Sequence, residues 1–272
     1  MASFDSLTFI TDYGLEDGFV AACHGVAARI APAARVIDIT HLVQPGDVRR
    51  GAAVLAQTIP YLPIAVHVAV VDPGVGTARL GVAVKAGDGV LVGPDNGLLS
   101  WAVDALGGAE RAFQLTNGDL WLHPVSPTFH GRDIFMPVAA HLAAGAGMKM
   151  VGTEIDVAAL VTLPAPTSRV RDGECEGEVM SVDRFGNVQL SIVAADVTGL
   201  GVGFGSPLVV RAGRRQLTVP FLETFAAVAP GEVVAFTDSA GLISLAVNAG
   251  DAAQQLGLPP GAHVRLSAAR PS

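Results

Sequence analysis

Apolar and polar positions divide the first half of the chain into short β-branched runs and longer stretches with helical spacing. Strands are predicted at residues 7–10, 36–39 and 64–71, and the third is apolar on both faces. Two helices are predicted between them. The first is capped by Asp17 and ended by Pro32, and the second is capped by Asp47 and covers residues 48–59. The order β-α-β-α-β predicts a parallel sheet with right-handed crossovers.

The pattern changes along the rest of the chain. A hairpin is predicted at residues 82–92, a short helix at 98–105, a strand at 112–115, and a helix to about residue 144 whose start is favoured by Asp133. After the Pro-rich segment 163–168, short alternating runs predict a small antiparallel β domain with a short helix at 252–256. We therefore expect an α/β fold with an N-terminal parallel-sheet domain at 1–163, a linker at 164–171 and a C-terminal β domain at 172–272.

Composition narrows the class of protein. Half of the 272 residues are hydrophobic and 15% are charged, which allows a large core, and the net charge of −8 argues against a nucleic-acid partner. Cys23 and Cys175 are far apart, so we expect no disulfide framework and a reducing compartment. The chain shows no signal peptide, and its longest apolar run is shorter than the ~20 residues of a membrane helix. These features predict a cytoplasmic protein with no membrane partner.

Polar side chains follow the first three predicted strands. These are Asp12, the pair Thr40 and His41, and Asp72, which a Pro-Gly turn connects to Arg79. In open α/β sheets this edge binds ligands, so we expect a site there. The alternative is that strand ends carry polar residues because they meet water, and that Asp72 is only a turn residue.

Sequence motifs exclude several chemistries. The chain has no P-loop, no dinucleotide-binding fingerprint, no nucleophile elbow and no His-Glu-x-x-His pair. Potential metal ligands exist without diagnostic spacing, so we expect no metal and no cofactor; they are Asp72, His123, His130, Asp133 and His141. The polar segments 183–187 and 237–241 fit simple hairpin turns when taken alone.

Taken together, the polar segments resemble one family. The matching segments are TDYG at 11–14, IDITH at 37–41, VDPGVGT at 71–77, VGPDNGLL at 92–99, TFHGRDIF at 128–135, DRFGN at 183–187 and SAGLISLAVN at 239–248. In order and spacing they are similar to the S-adenosyl-L-methionine (SAM) hydrolases, or SAM hydroxide adenosyltransferases, which are related to fluorinases and chlorinases. The resemblance implies a barrel-like C-terminal domain and a homotrimer with active sites between subunits. It also implies attack of water on SAM to give adenosine and L-methionine.

The resemblance also assigns roles to single residues. Asp72, Arg79 and His130 match a water-activating triad, and Asp12 matches the carboxylate that binds the ribose hydroxyls. Residues matching contacts to adenine and to the methionine end are Asp183, Phe185, Asn187, Ser239 and the backbone near Val247. Ala240 departs from the fluorinase pattern, which has an arginine there for the methionine carboxylate. Three alternatives stay open: an adenosyl halogenase, a non-catalytic adenosine or SAM binding module, and a metal-dependent hydrolase.

Overall fold

The computed structural model describes residues 3–269, and the chain divides into two units between Pro164 and Ala165. Unit 1 contains a seven-stranded mixed sheet of order β2-β1-β3-β5-β4-β6-β7. Neighbours among β2, β1, β3 and β5 are parallel, and the other pairs are antiparallel. The strands are β1 (Ser6–Thr11), β2 (Arg35–Thr40), β3 (Val66–Val70), β4 (Gly81–Ala86), β5 (Gly89–Pro94), β6 (Ala109–Leu115) and β7 (Gly152–Ile155).

Helices cover both faces of this sheet. One cluster joins Phe9 of β1 and Val68 of β3 to Cys23 and Leu142, which lie on the first and fourth helices. On the other face, Gly51 of the second helix packs against Val71 and Leu98. The helices are α1 (Phe19–Ile30), α2 (Val48–Thr58), α3 (Ser100–Ala105) and α4 (Met136–Ala143); 3₁₀ turns lie at Ile59–Tyr61, Gly118–Leu120, Met148–Met150 and Val157–Ala159.

Register places the ends of the parallel strands side by side. Thr11 pairs with Val70, and Ile10 pairs with Thr40. Residues 12, 41 and 72 therefore leave the sheet at one edge, as the βαβ pattern predicts. β1 and β3 are buried throughout, because helices cover both of their faces.

The helix starts predicted from capping residues were only partly correct. Asp47 caps α2 as predicted, since its Oδ1 accepts from the backbone N–H of Arg50 at 2.9 Å, although the helix ends one residue early at Thr58. The predicted cap at Asp17 is wrong: α1 starts at Phe19 with Gly18 in the cap position and no side-chain cap bond. Asp133 does not cap the next helix; it is the acidic residue in the first turn of a π-helical segment, Gly131–Phe135, that leads into α4, so the macrodipole contribution of the prediction fits and the capping contribution does not.

Unit 2 is an antiparallel, nearly closed barrel. The strand order is β12-β11-β15-β9-β10-β14-β13, and β8 pairs with β9. Phe221, directly after β12, forms a backbone bridge to Ala235 of β13, which brings the two ends of the sheet together. The strands are β8 (Ser168–Arg171), β9 (Glu174–Val182), β10 (Val188–Val193), β11 (Pro207–Ala212), β12 (Arg215–Pro220), β13 (Val233–Thr237), β14 (Leu242–Val247) and β15 (His263–Ala268).

The barrel interior is apolar, with Val179, Leu190, Phe221, Leu245 and Leu266 buried together. Short helices α5 (Ala194–Gly199) and α6 (Ala252–Leu256) and a 3₁₀ turn at Phe225–Ala227 complete the unit. Both cysteine thiols are free and buried. Within residues 3–269, no helix combines the length and the apolar character needed to cross a lipid bilayer.

Candidate active site

Asp72 occupies the loop that leaves β3, two residues after the strand ends at Val70. Its backbone is fixed by Asn96, whose side-chain amide donates to the carbonyl of Val71 at 2.9 Å while its oxygen accepts from the N–H of Leu98 at 3.1 Å. The Asp72 side chain is only 5% exposed. A buried carboxylate needs a partner, and the same loop supplies one.

Arg79 binds Asp72 through two nitrogens. Nε donates to both carboxylate oxygens at 3.0 Å, and Nη2 donates to Oδ2 at 2.5 Å. The guanidinium also lies over the ring of Phe135, 5.1 Å from its centroid, and the Arg79 side chain is 12% exposed. An ion pair and an aromatic face therefore fix the cation in one orientation.

His130 completes the cluster, with Nδ1 lying 2.8 Å from Nη2 of Arg79. A guanidinium only donates hydrogen bonds, so Nδ1 is the acceptor and the proton of the neutral ring is on Nε2. Burial, followed by the positive charge of Arg79, lowers the pKa of His130 below its ordinary value, and the carboxylates of Asp72 and Asp133 act in the opposite direction. The ring is therefore a neutral donor at Nε2 near pH 7.

The loop that carries His130 is held against the Asp72 loop. Gly76 has φ +76°, and a Cβ there would lie 2.6 Å from the carbonyl oxygen of Pro127. The buried carboxylate of Asp133 accepts from the N–H of Ser126 at 2.8 Å and pairs with Arg132. The close contact at Gly76 thus joins the two distant segments, while the Asp133 contacts order the segment that carries His130.

Asp12 lies at the same edge, on the loop after β1. Its Oδ2 accepts from the backbone N–H of Gly46 at 2.8 Å, and Gly46 lies beside Pro73, with 3.7 Å between the Pro73 Cβ and the position of an added glycine Cβ. One accepted bond leaves further lone pairs on the carboxylate. The structure therefore brings Asp12, Asp72, Arg79 and His130 to one edge of unit 1.

Sequence reasoning missed three residues that build this edge: Tyr13, Phe135 and Asn96. Tyr13 packs edge-on against Phe129 with 5.6 Å between ring centroids, and a Cβ at Gly131 would lie 2.0 Å from the tyrosine hydroxyl oxygen. Burial, and then the charges of Cys23, Asp12 and Asp72, raise the pKa of Tyr13, so its phenol stays protonated. The sequence held one signal for the contact between Tyr13 and Gly131. Tyr13 directly follows Asp12 and Gly131 directly follows His130, so each adjoins a predicted site residue.

In unit 2 the predicted contact residues fall into two groups. Asp183 is engaged within its own turn, accepting from the backbone N–H groups of Phe185 and Asn187 at 2.8 and 2.9 Å and from the Asn187 amide at 2.8 Å. Phe185 is 71% exposed at the tip of this turn. Val247 ends β14, on the side where β10 begins.

Ser239 is not brought to that end. It is exposed in the turn between β13 and β14, which enters β14 at Leu242, the residue that pairs with Val193 at the far end of β10. The neighbouring Asp238 reaches along the sheet instead, and its Oδ2 accepts from Gln189 at 2.8 Å and from Ser244 at 2.9 Å.

The metal ligands considered from sequence do not form one cluster. Asp72 and His130 meet at Arg79, whereas His123 Nε2 lies 2.9 Å from the carbonyl oxygen of Gly118 and His141 lies on α4. Among the described residues, the group of ionisable side chains close enough to hold a metal ion is a different one, formed by His24, Asp38 and His41.

Comparison with known proteins agrees with the resemblance seen in the sequence. Residues 7–152 match the SAM hydroxide adenosyltransferase N-terminal domain, and residues 177–265 match the SAM hydroxide adenosyltransferase C-terminal domain. A protein of Salinispora arenicola named (R)-S-adenosyl-L-methionine hydrolase is 55% identical over 269 residues, covering 98% of this chain and 100% of the relative. A fluorinase of Actinopolyspora mzabensis is 29% identical over 289 residues, covering 96% of each.

A solved structure shares the fold of the whole chain. A crystal structure of an uncharacterized conserved protein from Thermotoga maritima superposes with a TM-score of 0.90 at 36% identity, covering 96% of this chain and 99% of that chain. Two domain matches in sequence order and 55% identity over nearly the whole length confirm the predicted family: the chain belongs to the SAM hydroxide adenosyltransferases.

Proposed function

We propose that this protein hydrolyses SAM to adenosine and L-methionine. The observation that carries the proposal is the Arg79 guanidinium, held between the Asp72 carboxylate and the His130 imidazole at the edge of unit 1 where the parallel strands end. C5′ of SAM is electrophilic because its neighbour is a sulfonium. Water oxygen forms the new bond to C5′, the C5′–S pair passes to sulfur, methionine leaves as a neutral thioether, and one water proton is released.

The triad prepares the nucleophile. Arg79 stays protonated and favours hydroxide character in an adjacent water. Asp72 accepts or orients a water proton through lone pairs that Arg79 does not use, and Nε2–H of His130 donates to the oxygen. Positioning contributes up to ~7–11 kcal/mol in such reactions, whereas general-base help is worth about 10²–10⁴-fold. Orientation by the preassembled cluster is therefore the larger contribution.

The substrate is held at two places in this proposal. Asp12 accepts hydrogen bonds from the two ribose hydroxyls, because its carboxylate has lone pairs left after the bond from the Gly46 N–H. Asp183, Phe185, Asn187 and Val247, which lie at one end of the barrel sheet, contact adenine and the methionine end, with Asp183 shaping its turn and Phe185 offering an exposed ring. A contact from Ser239, at the far end of β10, rests on the family resemblance alone. We further propose a cytoplasmic homotrimer in which neighbouring subunits complete each site; light scattering of the purified protein tests the trimer.

Turnover of SAM in oxygen-18 water tests the reaction. We expect one label in the 5′-hydroxyl of adenosine and none in methionine. Label-free adenosine, or no methionine release at high enzyme concentration, would reject hydrolysis, and the second result would favour a binding module.

The 29% identical fluorinase makes halide the second candidate nucleophile. Reactions with SAM and excess chloride or fluoride, separated by mass, distinguish the two. We expect adenosine alone, because a water nucleophile needs the proton acceptor that Asp72 offers, whereas a halide has no proton to lose. A 5′-halo product as the main species would assign the chain to halogenation.

A further inference from the structure

Outside the triad, three side chains converge on the surface of unit 1 beside the first strand. His24 extends from α1, Asp38 lies in β2, and His41 follows that strand. Oδ1 of Asp38 lies 2.8 Å from Nε2 of His24 and 3.0 Å from Nε2 of His41, and the three ligand atoms all lie within 4.8 Å of one another. We propose that these three side chains bind a divalent first-row transition metal, with Zn²⁺ as the best-fitting ion.

The donor set selects the class of ion. Two imidazoles and one carboxylate suit zinc and its neighbours, whereas magnesium and calcium require oxygen ligands. In a tetrahedral zinc site, bonds of about 2.0–2.1 Å place ligand atoms about 3.3 Å apart. The two separations from Asp38, 2.8 and 3.0 Å, open to that value by a few tenths of an ångström, and the separation between the two histidine nitrogens is within 4.8 Å. The His24 and Asp38 side chains are 35% and 40% exposed, so they can rotate, and water can take the fourth position.

His41 has the features of a buried ligand. Its side chain is 3% exposed, and Nδ1 lies 2.9 Å from the hydroxyl oxygen of Thr11, a contact that fixes the ring and directs Nε2 at Asp38. Phe9 packs edge-on against the imidazole with 4.9 Å between ring centroids. This combination of a fixed ring and an oriented nitrogen is the support that metal-binding histidines have.

The alternative to a metal ion is that hydrogen bonds from the two histidines to Asp38 hold the cluster together. This alternative explains the observed contacts less well. For His24 the contact is a hydrogen bond, but Nε2 of His41 is buried without a hydrogen-bond partner even though the carboxylate oxygen lies 3.0 Å away. Neither a proton on Nε2, which finds no well-directed acceptor, nor a lone pair facing the carboxylate is favourable at this position. A metal ion satisfies both groups at once.

The proposed ion connects α1 to the edge strand β2. His41 also accepts at its carbonyl from the N–H of Gly14 at 2.8 Å, and Thr11 directly precedes Asp12. Binding therefore stiffens the edge strand and the loop after β1. Metal binding at this cluster requires no SAM, so it is measured without substrate.

The test titrates chelator-treated full-length protein with Zn²⁺ by calorimetry and follows thermal unfolding. We expect one equivalent per chain, a raised melting temperature, and at least about tenfold weaker binding in His24→Gln and in Asp38→Asn, both partly exposed positions. His263→Gln removes an exposed histidine of unit 2 and leaves binding unchanged.

Co²⁺ provides a second measurement that needs no variant. The wild-type protein with one equivalent of Co²⁺ shows the visible absorption of a low-coordinate nitrogen and oxygen site. Absence of binding, or equal binding in His24→Gln, Asp38→Asn and the wild type, overturns the proposal.

Discussion

Nη2 of Arg79 lies 2.8 Å from Nδ1 of His130, and this contact determines which protonation state of the histidine fits the site. Because the guanidinium can only donate, a protonated imidazole would oppose it with a second donor and a second positive charge. The neutral ring is thus the competent form.

The first prediction concerns the pH dependence of kcat/KM for SAM. The pKa of His130 is lowered, first by burial and then by Arg79, so the neutral ring persists below the ordinary histidine value of about 6.5. Activity therefore falls only when pH drops through a value below about 6.5, and the rate profile on that side reports the free enzyme. An acid limb centred above about 6.5 in the wild type, or the same limb in His130→Asn, would contradict this.

The second prediction concerns the triad. Asp72→Ala and His130→Ala each lose about 10²–10⁴-fold in kcat, because one removes the carboxylate partner of the water and of Arg79 and the other removes the donor. Adenosine binding, measured by calorimetry, stays within a few-fold, since its expected contacts lie elsewhere. Asp88→Ala, at an exposed hairpin turn, is the matched carboxylate control. Full turnover in either triad variant would reject the assignment.

The third prediction separates backbone strain from loop contact. Gly76 and Gly173 have nearly the same φ, +76° and +77°, but only at Gly76 does an added Cβ meet another atom, the Pro127 carbonyl oxygen at 2.6 Å. Gly173→Ala costs about 1–2 kcal/mol of unfolding free energy through the left-handed backbone alone. Gly76→Ala costs more and lowers turnover, because the His130 loop is displaced. Urea unfolding measures the stability cost and kcat measures the effect on turnover. Equal stability costs in the two variants, with unchanged turnover in Gly76→Ala, would show that the contact with Pro127 does not hold the His130 loop in place.

The fourth prediction concerns stability in acid. Burial lowers the pKa of His67 to about 4, and its Nδ1 lies 2.9 Å from the hydroxyl oxygen of Thr8. Between about pH 4 and 6.5, His67 is protonated in the unfolded chain but neutral in the folded chain. The stabilising effect is therefore complete above pH 6.5 and is lost as pH falls, by about 3 kcal/mol in total. In His67→Gln, the free energy of unfolding measured in urea changes less with pH over this range than in the wild type. An unchanged dependence on pH would assign the acid sensitivity to other groups.

Elements whose signals lie in neighbouring residues were predicted well. Asp47 caps α2 because a side chain and a backbone N–H three residues away meet in any helix start. The common edge of Asp12, His41 and Asp72 follows from parallel strands alone. Asp17 failed because the helix begins one residue further along, and the sequence pattern does not distinguish such neighbouring starts.

Contacts between segments that are distant in the chain could not be predicted from the sequence. The ring of Phe135 below Arg79 and the Tyr13 hydroxyl against Gly131 depend on a π-helical turn that has no signature in composition. His24, Asp38 and His41 have no diagnostic spacing either, since His24 lies on α1 and the other two lie in β2 and directly after it. Asp183 was singled out correctly as a polar turn residue, but the three bonds that engage its carboxylate are visible only in coordinates.

The close approach of Gly76 to Pro127 also limits how the enzyme can diverge. Arg79 and His130 are 51 positions apart in the chain, yet their two loops touch where a side chain at position 76 would meet the carbonyl oxygen of Pro127. A substitution at position 76 therefore requires a matching shift in the segment that carries His130. A designer who wishes to admit a larger nucleophile has to rebuild both loops together.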